Sequence, residues 1–471
     1  MSYTSSIFFL SLILGVIVYW YLPKKLQKYL IFIMNTLFLL SYSANSLIWI
    51  LGISLLAFFT ALSGKKTIKI VTTVLFVGSF FYLKFTNYFI AGLNNYLNLS
   101  IDLIKILMPI GLSFYMIQNL MYFWKASDTY PPEKNIIKYL SYSMFFPTVV
   151  QGPIAKYEDV SDQIWSDHDF NNDMFSRGFK LIILGLFKKL IIAGRAAMIS
   201  NAVFNATEPL SGVLVIVGAI AYTVELYMDF SAAVDICRGV SYLLGIELPV
   251  NFDTPYFALT IKDFWRRWHI TLSTFLTEFI YFPLGGSRCK PARRYLNILI
   301  VFLVSGIWHG VGLSYIAWGM LHAFYQIFGS ITLQKRTDIK NQIQGDNLIK
   351  KRVITFLSWI VNLSLISLAW ILFRANSLKS GLSMILSIFS RNPIVINTTT
   401  LGISKMNLLI LFVACCIVFF LEYKKAPLVS QYVLSNESNN SILLYLAIIF
   451  IFIFGIYGSG YDSSSFIYMG F

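Results

Sequence analysis

Long runs of apolar residues, separated by short polar segments, follow one another along almost the whole chain. The first run extends from Ile7 to Tyr21 and the last from Ile442 to Ile456, so we expect no soluble domain large enough to fold alone. Runs of about 17 to 25 residues give roughly eleven to thirteen transmembrane or re-entrant helices. The pattern predicts an all-α polytopic membrane protein, with a single membrane domain over residues 1–471.

The middle third of the chain departs from this regular pattern. Its apolar runs at 101–124, 136–153 and 270–285 are short or contain polar residues. Backbone that is irregular at membrane depth must line a cavity or lie inside protein. We therefore expect the functional site in this part of the chain.

Composition supports the membrane assignment and narrows the partners. The chain is 57% hydrophobic and 13% charged, with a mean hydropathy of +0.68, whereas soluble domains carry about 25% charged residues. The net charge of +15 comes from basic residues that flank the apolar runs, which predicts contact with anionic lipid head groups and no binding of nucleic acid. The four cysteines have no metal-ligand spacing, so we expect no metal site.

Lysines cluster after alternate apolar runs and predict the topology. The three clusters are Lys24, Lys25 and Lys28; Lys65, Lys66 and Lys69; and Lys125, Lys134 and Lys138. Because basic loops face the cytoplasm, the amino terminus is expected outside. The first run lacks a basic leader and a small-residue cleavage site, so we expect it to remain as an anchor.

Three of the four histidines, His269, His309 and His322, fall close together in apolar sequence, whereas His168 lies in a polar connector. Ionisable residues at membrane depth usually mark a functional site or a buried pair. His309 lies in "VSGIWHGVG", where apolar surroundings disfavour the charged imidazole and favour a proton acceptor, that is, a general base. The alternative is a structural histidine that binds a neighbouring carbonyl. For His322 a packing role is expected.

Charged residues occur in two further apolar stretches. In "FWRRWH", Arg266 and Arg267 lie between tryptophans, which is typical of the membrane interface, although this does not account for His269. Glu225 and Asp229 share a helix face, with Asp235 nearby. We expect Arg266 and Arg267 to pair with these carboxylates in a buried ionic network, which is more often architectural than catalytic.

Other chemistries find little support. The chain contains no glycine-rich phosphate loop, no His-x-x-x-His metal motif and no Gly-x-Ser-x-Gly elbow. It also lacks the two similar halves found in many transporters, which weakens the interpretation of the chain as a transporter.

Six blocks in order resemble the membrane-bound O-acyltransferase family. They are "MPIGLSFYMIQNLMYF", "FFPTVVQGPI", "ELYMDFSAAVDICRG", "LLGIELPVNFDTPY", the segment 263–286 and "SGIWHGVGLSYIAWGMLHAFY". The resemblance is to the bacterial branch of alginate O-acetylation, peptidoglycan O-acetylation and D-alanyl-teichoic acid transfer proteins. It implies helices around a buried reaction channel in the bacterial cytoplasmic membrane, with the family core at residues 101–330.

The resemblance also implies roles for individual residues and substrates. His309 matches the catalytic histidine and His269 the second characteristic position of the family. Residues expected to support the site or bind substrate are Trp308, Ser305, Arg266, Arg267, Asp229, Asp235 and Glu225. The implied reaction needs no bound cofactor and transfers an acyl group, with acetyl preferred, from a cytoplasmic thioester such as acetyl-CoA or an acyl-carrier protein.

Several acceptors and functions stay open at this point. The acceptor is a hydroxyl of a cell-surface polysaccharide, peptidoglycan or teichoic acid, or of an extracytoplasmic partner such as a second transferase. D-alanyl transfer to teichoic acid from a carrier protein is the nearest alternative. A lipid-linked saccharide transporter, whose histidines bind without catalysis, and a scaffold for other envelope enzymes are alternatives from other classes.

Overall fold

The computed structural model describes residues 3–127, 129–207, 210–344, 347–390, 397–424 and 439–457. Within these ranges the regular structure is helical, and the one pairing of extended residues is an isolated bridge between Phe252 and Trp268. The predicted all-α class is therefore confirmed.

Four helices form the amino-terminal part: α1 (Ser6–Tyr21), α2 (Lys24–Tyr42), α3 (Ala44–Ser63) and α4 (Lys66–Leu97). Ser5 and Ser43 cap α1 and α3, because each side-chain oxygen accepts a hydrogen bond from a backbone N–H of the first turn. Helix α4 has 32 residues and is therefore about 48 Å long, which exceeds the hydrocarbon thickness of a bilayer.

Short helices occupy much of the middle third, as the interrupted apolar runs predicted. The helices from residue 112 to 243 are α5 (Leu112–Lys125), α6 (Ile136–Ser143), α7 (Phe146–Val149), α8 (Tyr157–Trp165), α9 (Asn172–Phe187), α10 (Gly194–Phe204) and α11 (Gly212–Leu243). A π-helical turn, Lys188–Ala193, joins α9 to α10. Two short helices follow, α12 (Ile261–Arg267) and α13 (Ile270–Leu276), the second continuing into a π-helical turn at Thr277–Tyr281.

Seven helices form the described carboxyl-terminal part, and most of them are longer than the short helices of the middle third. They are α14 (Pro291–His309), α15 (Leu313–Ile331), α16 (Leu333–Gln344), α17 (Leu348–Arg374), α18 (Leu378–Ser387), α19 (Lys405–Lys424) and α20 (Asn439–Phe454). Within the described ranges, five helices are long and apolar enough to cross a membrane: α3, α4, α11, α17 and α19.

Helix α11 lies at the centre of the molecule. Nearly all of its 32 residues are buried, which is the property of a helix surrounded by protein on every side. Two hydrophobic clusters meet at this helix: one includes Leu226 and Phe230, and the other includes Ile236 and Val240. Helix α9 packs very closely on α11, since a Cβ atom at Gly178 would lie 2.6 Å from the carbonyl oxygen of Gly239.

Lysines and acidic residues of several loops meet at one end of the bundle. Here Trp20 Nε1 donates to the Leu243 carbonyl oxygen over 3.0 Å, which places the turn after α1 beside the end of α11. Other contacts at this end are the ion pairs Lys24–Asp169, Lys125–Glu158, Lys138–Glu133 and Lys156–Glu278. We call this region the basic end. Burial disfavours the charge of Lys125, but its bonds and charge interactions with Glu158 and Glu278 outweigh that effect and raise the pKa of Lys125.

Candidate active site

His309 is the last residue of α14 and lies inside the protein, with 2% of its surface exposed. Aromatic rings surround it: the ring centroids of Trp308, Trp318 and Phe373 are 4.8, 5.0 and 5.4 Å from the imidazole centroid. The next helix, α15, approaches closely because Gly306 has no side chain; a Cβ atom there would lie 2.6 Å from the Tyr315 carbonyl oxygen. The sequence "SGIWHGVG" thus brings two helices together around one imidazole.

His269 lies between α12 and α13, in a left-handed backbone conformation with φ of +45°. Such a conformation is uncommon for residues other than glycine, although histidine adopts it more often than most, and it costs about 1 to 3 kcal/mol; strained residues of this kind cluster at functional sites. Asn251 holds the segment in place: its carbonyl oxygen accepts from Ile270 N over 3.0 Å, and its Oδ1 accepts from Thr271 N over 3.0 Å. The His269 side chain is fully buried.

Trp308 contacts both histidines. Its ring centroid is 6.1 Å from that of His269 and 4.8 Å from that of His309. Phe230 and Phe114 complete the surroundings of His269, at centroid distances of 4.8 and 6.4 Å. We call His269, Trp308 and His309 the histidine centre. Residues that are 40 positions apart in sequence are therefore neighbours, as the resemblance implied, while their catalytic roles stay predictions.

Lys84 also reaches the histidine centre, although the sequence patterns did not lead us to it. Its Nζ donates to the carbonyl oxygens of Trp308 over 2.7 Å and of His309 over 3.4 Å. A signal was present, because Lys84 is a single charge inside the apolar sequence "FFYLKFTNYF". A lysine in apolar membrane sequence marks a functional site or a buried contact as a histidine does.

A second group of ionisable residues joins α11 to the π-helical turn after α9. Lys188 Nζ is 2.7 Å from Asp235 Oδ2, and Lys189 Nζ is 2.5 Å from Asp229 Oδ1. We call these four residues the ionic layer; each side chain has 10% or less of its surface exposed. Both lysines lie in the π-helical turn, and both of their carboxylate partners lie on α11.

The predicted pairing of Arg266 and Arg267 with the carboxylates of α11 is wrong. Both arginines bind Asp263, at 2.5 Å from Arg266 Nη2 and 2.9 Å from Arg267 Nε. The reason is local geometry, since residues three and four apart share one face of α12. Arg266 is 75% exposed and pairs with Asp263 away from the carboxylates of α11. The prediction overlooked Lys188 and Lys189, which occur within the apolar sequence "LGLFKKLIIAG".

Two further residues predicted for the site are Ser305, on the same helix as His309, and Glu225, on α11. Ser305 is buried one turn before His309 on α14. Glu225 Oε2 accepts a hydrogen bond from the Ser200 hydroxyl and is buried. Glu225 also lines a 410 Å³ pocket, which has the following lining residues: Asn201, Tyr222, Glu225, Val311, Ser314, Tyr315, Phe373, Arg374, Ala375 and Asn376.

This pocket, which we call the polar pocket, lies next to His309. Phe373 lines it and also contacts the imidazole, and Tyr315 packs on Phe373 with ring centroids 5.1 Å apart. The pocket includes the end of α17 and the turn between α14 and α15. Glu225, which lines the pocket, precedes Leu243 of the basic end by 18 residues on α11, or about 27 Å along the helix, so the pocket lies away from the basic end.

The other two histidines have structural environments. Trp265 Nε1 donates to His322 Nδ1 over 3.2 Å, which agrees with the expected packing role of His322. His168 Nε2 is 2.6 Å from the Gln163 carbonyl oxygen, so this residue is bound within its connector. Within the described ranges, no group of three or more His, Cys, Asp or Glu residues could hold a metal ion.

Comparison with known proteins gives a family match and several similar proteins. The family model of the membrane-bound O-acyltransferases matches residues 10–370. The chain is 31% identical over 343 residues to the peptidoglycan O-acetyltransferase of Helicobacter pylori, covering 66% of this chain and 63% of the relative. It is 31% identical over 315 residues to the "Probable alginate O-acetylase AlgI" of Pseudomonas aeruginosa, covering 66% of this chain and 58% of the relative.

A third relative is named for a different reaction, the transfer of D-alanine. The teichoic acid D-alanyltransferase of Bacillus subtilis is 29% identical over 228 residues, covering 45% of this chain and 57% of that protein. The matches span less than two thirds of the length of each of these three relatives. The family match includes both histidines of the centre and most of the described helices. The chain is therefore a multi-pass membrane protein that belongs to the membrane-bound O-acyltransferase family.

Proposed function

We propose that the chain is an O-acyltransferase that moves an acyl group from a thioester to a hydroxyl. The observation that carries this proposal is the burial of two histidines against one indole, between the basic end and the polar pocket. An imidazole enclosed by aromatic rings is disfavoured as a cation and therefore serves as a proton acceptor. Oxygen nucleophiles need such a base, because a neutral hydroxyl attacks a thioester slowly.

The reaction follows from these positions. His309 accepts the proton of the acceptor hydroxyl as its oxygen attacks the thioester carbonyl carbon. His269 donates a hydrogen bond to the developing oxyanion or orients the acceptor. The C–S bond then breaks, the new C–O bond remains as the ester, and the leaving thiolate takes the proton from His309, which becomes neutral again. A covalent acyl-histidine intermediate is the alternative route to the same products.

The polar pocket supports entry of the acceptor from the side opposite the basic end. Its carboxylate, guanidinium, amide and hydroxyl groups suit a polar ligand better than an acyl chain, and its volume of 410 Å³ falls within the range of small-molecule sites, about 300 to 1,000 Å³. We propose that it admits the acceptor, a hydroxyl of a cell-surface polysaccharide, peptidoglycan or teichoic acid, or of an extracytoplasmic partner. The donor, acetyl-CoA or an acyl-carrier protein, then enters from the basic end.

Acetyl is the acyl group that the comparisons favour. The similarity to the named O-acetylating relatives covers 66% of the chain, whereas the similarity to the D-alanyltransferase of Bacillus subtilis covers 45%. Transfer of D-alanine to teichoic acid from a carrier protein is the nearest alternative. Because the relatives extend beyond the matched region, their additional segments can contribute to substrate choice.

We also propose that the protein lies in the bacterial cytoplasmic membrane with its amino terminus outside. The ion pairs support this orientation, since lysines that follow α1 and α5 meet at the same end of the bundle. A concentration of lysines at one end is typical of the cytoplasmic side.

The test compares wild type with His309→Ala at equal membrane levels in the native bacterium. Base-labile acetate and D-alanine released from the purified envelope are measured for both strains. We expect the variant to lose one of the two esters, and the lost ester identifies the acyl group. If both esters persist at wild-type levels, the protein is not the transferase and a binding or transport role takes its place.

A further inference from the structure

Helix α4 carries two lysines that end on backbone carbonyl groups of other helices. Lys69 Nζ donates to the Ala126 carbonyl oxygen over 2.6 Å, at the residue that follows α5. Lys84 Nζ donates to the Trp308 and His309 carbonyl oxygens over 2.7 and 3.4 Å, at the end of α14. The two lysines are 15 residues apart, or about 22 Å along the helix. One helix therefore caps the carboxyl ends of two others.

The end of α14 needs such a partner. The last four carbonyl groups of an α-helix have no partner within the helix, and they form the negative end of its dipole. In α14 the Gly306 carbonyl oxygen accepts from Gly310 N over 3.3 Å. Lys84 supplies a charged donor to the two carbonyl groups that come last, inside a largely aromatic part of the protein that offers few alternative donors.

Lys84 itself is held by its surroundings. Its ammonium lies 5.2 Å from the centroid of the Phe80 ring, one turn earlier on α4, which is a cation–π arrangement. Its neighbours Leu83 and Phe85 are buried, so the backbone at this point packs against the protein. The side chain therefore reaches α14 from a fixed position.

We propose that Lys84 is a positioning residue of the active site, which fixes the last turn of α14 and thereby the placement of the Trp308 and His309 side chains. The inference rests on the proposed function for its catalytic consequence. Both capped residues belong to the histidine centre, and Trp308 is the residue in contact with the two imidazoles. A shift of the last turn moves the base and its neighbour together.

Loss of the cap therefore acts on the chemical step. A misplacement of about 1 Å at a reacting group can lower the rate by about 10²-fold. The hydrogen bonds of Lys84 go to the end of α14, so we expect the contacts that bind the donor and the acceptor elsewhere in the protein to stay unchanged. We expect kcat to fall by about that factor while KM stays within about twofold.

The experiment uses the full chain in lipid nanodiscs and three variants. Lys84→Met removes the donor, Lys84→Arg retains a charged donor, and Lys69→Met removes the corresponding cap of α5 as a matched control. Hydrogen–deuterium exchange of the peptide that contains residues 305–312 measures opening of the last turn of α14. Turnover with [¹⁴C]acetyl-CoA and a cell-wall glycan acceptor gives kcat and KM.

We expect faster exchange at 305–312 and a lower kcat in Lys84→Met, with both properties near wild type in Lys84→Arg. Lys69→Met should accelerate exchange near residue 126 and leave kcat unchanged for the folded fraction. Unchanged exchange at 305–312 in Lys84→Met overturns the proposal, even when kcat falls, because Lys84 would then act on the reacting groups directly. An equal loss of kcat in Lys69→Met also overturns it. Absence of turnover in wild type contradicts the proposed function, whereas the exchange result still decides whether Lys84 holds the helix.

Discussion

The histidine centre and the ionic layer both place ionisable residues at membrane depth, yet they differ in how each group is neutralised. In the ionic layer every lysine lies within 2.7 Å of a carboxylate. In the histidine centre the imidazoles of His269 and His309 lie against aromatic rings. The ionic layer joins α11 to the π-helical turn after α9, and the histidine centre joins α14 to the segment between α12 and α13.

This difference in surroundings indicates which of the two groups can take part in proton transfer. A buried ion pair is already compensated, and neither partner can change charge without leaving the other unpaired. A neutral imidazole in an aromatic enclosure can accept a proton during a reaction and release it afterwards. The sequence already favoured an architectural role for the carboxylates of α11 and a general base at His309, and the contacts show how the two groups differ. We therefore propose that the histidine centre carries the chemistry and that the ionic layer is architectural.

The largest effect is expected for His309→Gln. Removal of a general base typically lowers the rate by about 10²- to 10⁴-fold. Glutamine keeps a polar side chain of similar size, so the thermal midpoint of unfolding should stay close to that of wild type. Acyl transfer by the purified variant and its unfolding midpoint are measured together. An active variant would contradict the role of His309 as the base.

The next effect is expected in the ionic layer. Asp229→Leu removes the carboxylate that Lys189 binds, and breaking a buried ion pair by removing one partner costs about 3 to 5 kcal/mol. The double variant Lys189→Met with Asp229→Leu removes both charges and should recover most of that stability. The free energy of unfolding of each variant is measured in detergent. Equal destabilisation of the single and double variants would mean that the charges matter for a reason other than their pairing.

A smaller effect on turnover is expected at His269, and it separates side chain from backbone. His269→Leu removes the hydrogen-bonding group and should lower kcat by about 10²-fold. His269→Asn retains a donor and also tolerates the left-handed backbone, so it should retain more activity and more stability than His269→Leu. Both kcat and unfolding midpoints are compared. A Leu variant with wild-type kcat would remove His269 from the mechanism.

The smallest effect is expected at the arginines first assigned to the buried network. Arg266 pairs with Asp263 at the surface, and exposed pairs of this kind contribute about 1 kcal/mol or less. Arg266→Ala should therefore change neither turnover nor stability beyond that amount. A loss comparable to that of Asp229→Leu would show that Arg266 belongs to the ionic layer after all.

Much of the fold could be predicted from the hydrophobic pattern, and part of the site could not. The pattern alone indicated helices, a membrane environment and irregular segments in the middle third, because burial in lipid or protein leaves a direct record in composition. The association of His269 with His309 depended on the family resemblance, because 40 residues and several turns separate them. No periodicity determines which distant helices meet.

The lysines that were missed and the arginines that were paired wrongly also have a physical explanation. Lys84, Lys188 and Lys189 lie inside apolar runs, where a lysine in the sequence gives no sign of its partner. Arg266 and Arg267 stood out because they are adjacent and flanked by tryptophans, yet Asp263 lies on the same face of α12 and binds both. Local spacing decided the arginine contacts, and tertiary packing decided those of the lysines.

The most direct test of this division compares two purified proteins in nanodiscs: His309→Gln and the double variant Lys189→Met with Asp229→Leu. The measurement is acyl transfer per folded molecule, with the folded fraction determined on the same sample. We predict a loss of about 10²-fold or more for His309→Gln and a value near wild type for the double variant. The reverse result, an active histidine variant and an inactive but folded double variant, would place the chemistry in the ionic layer and contradict the account.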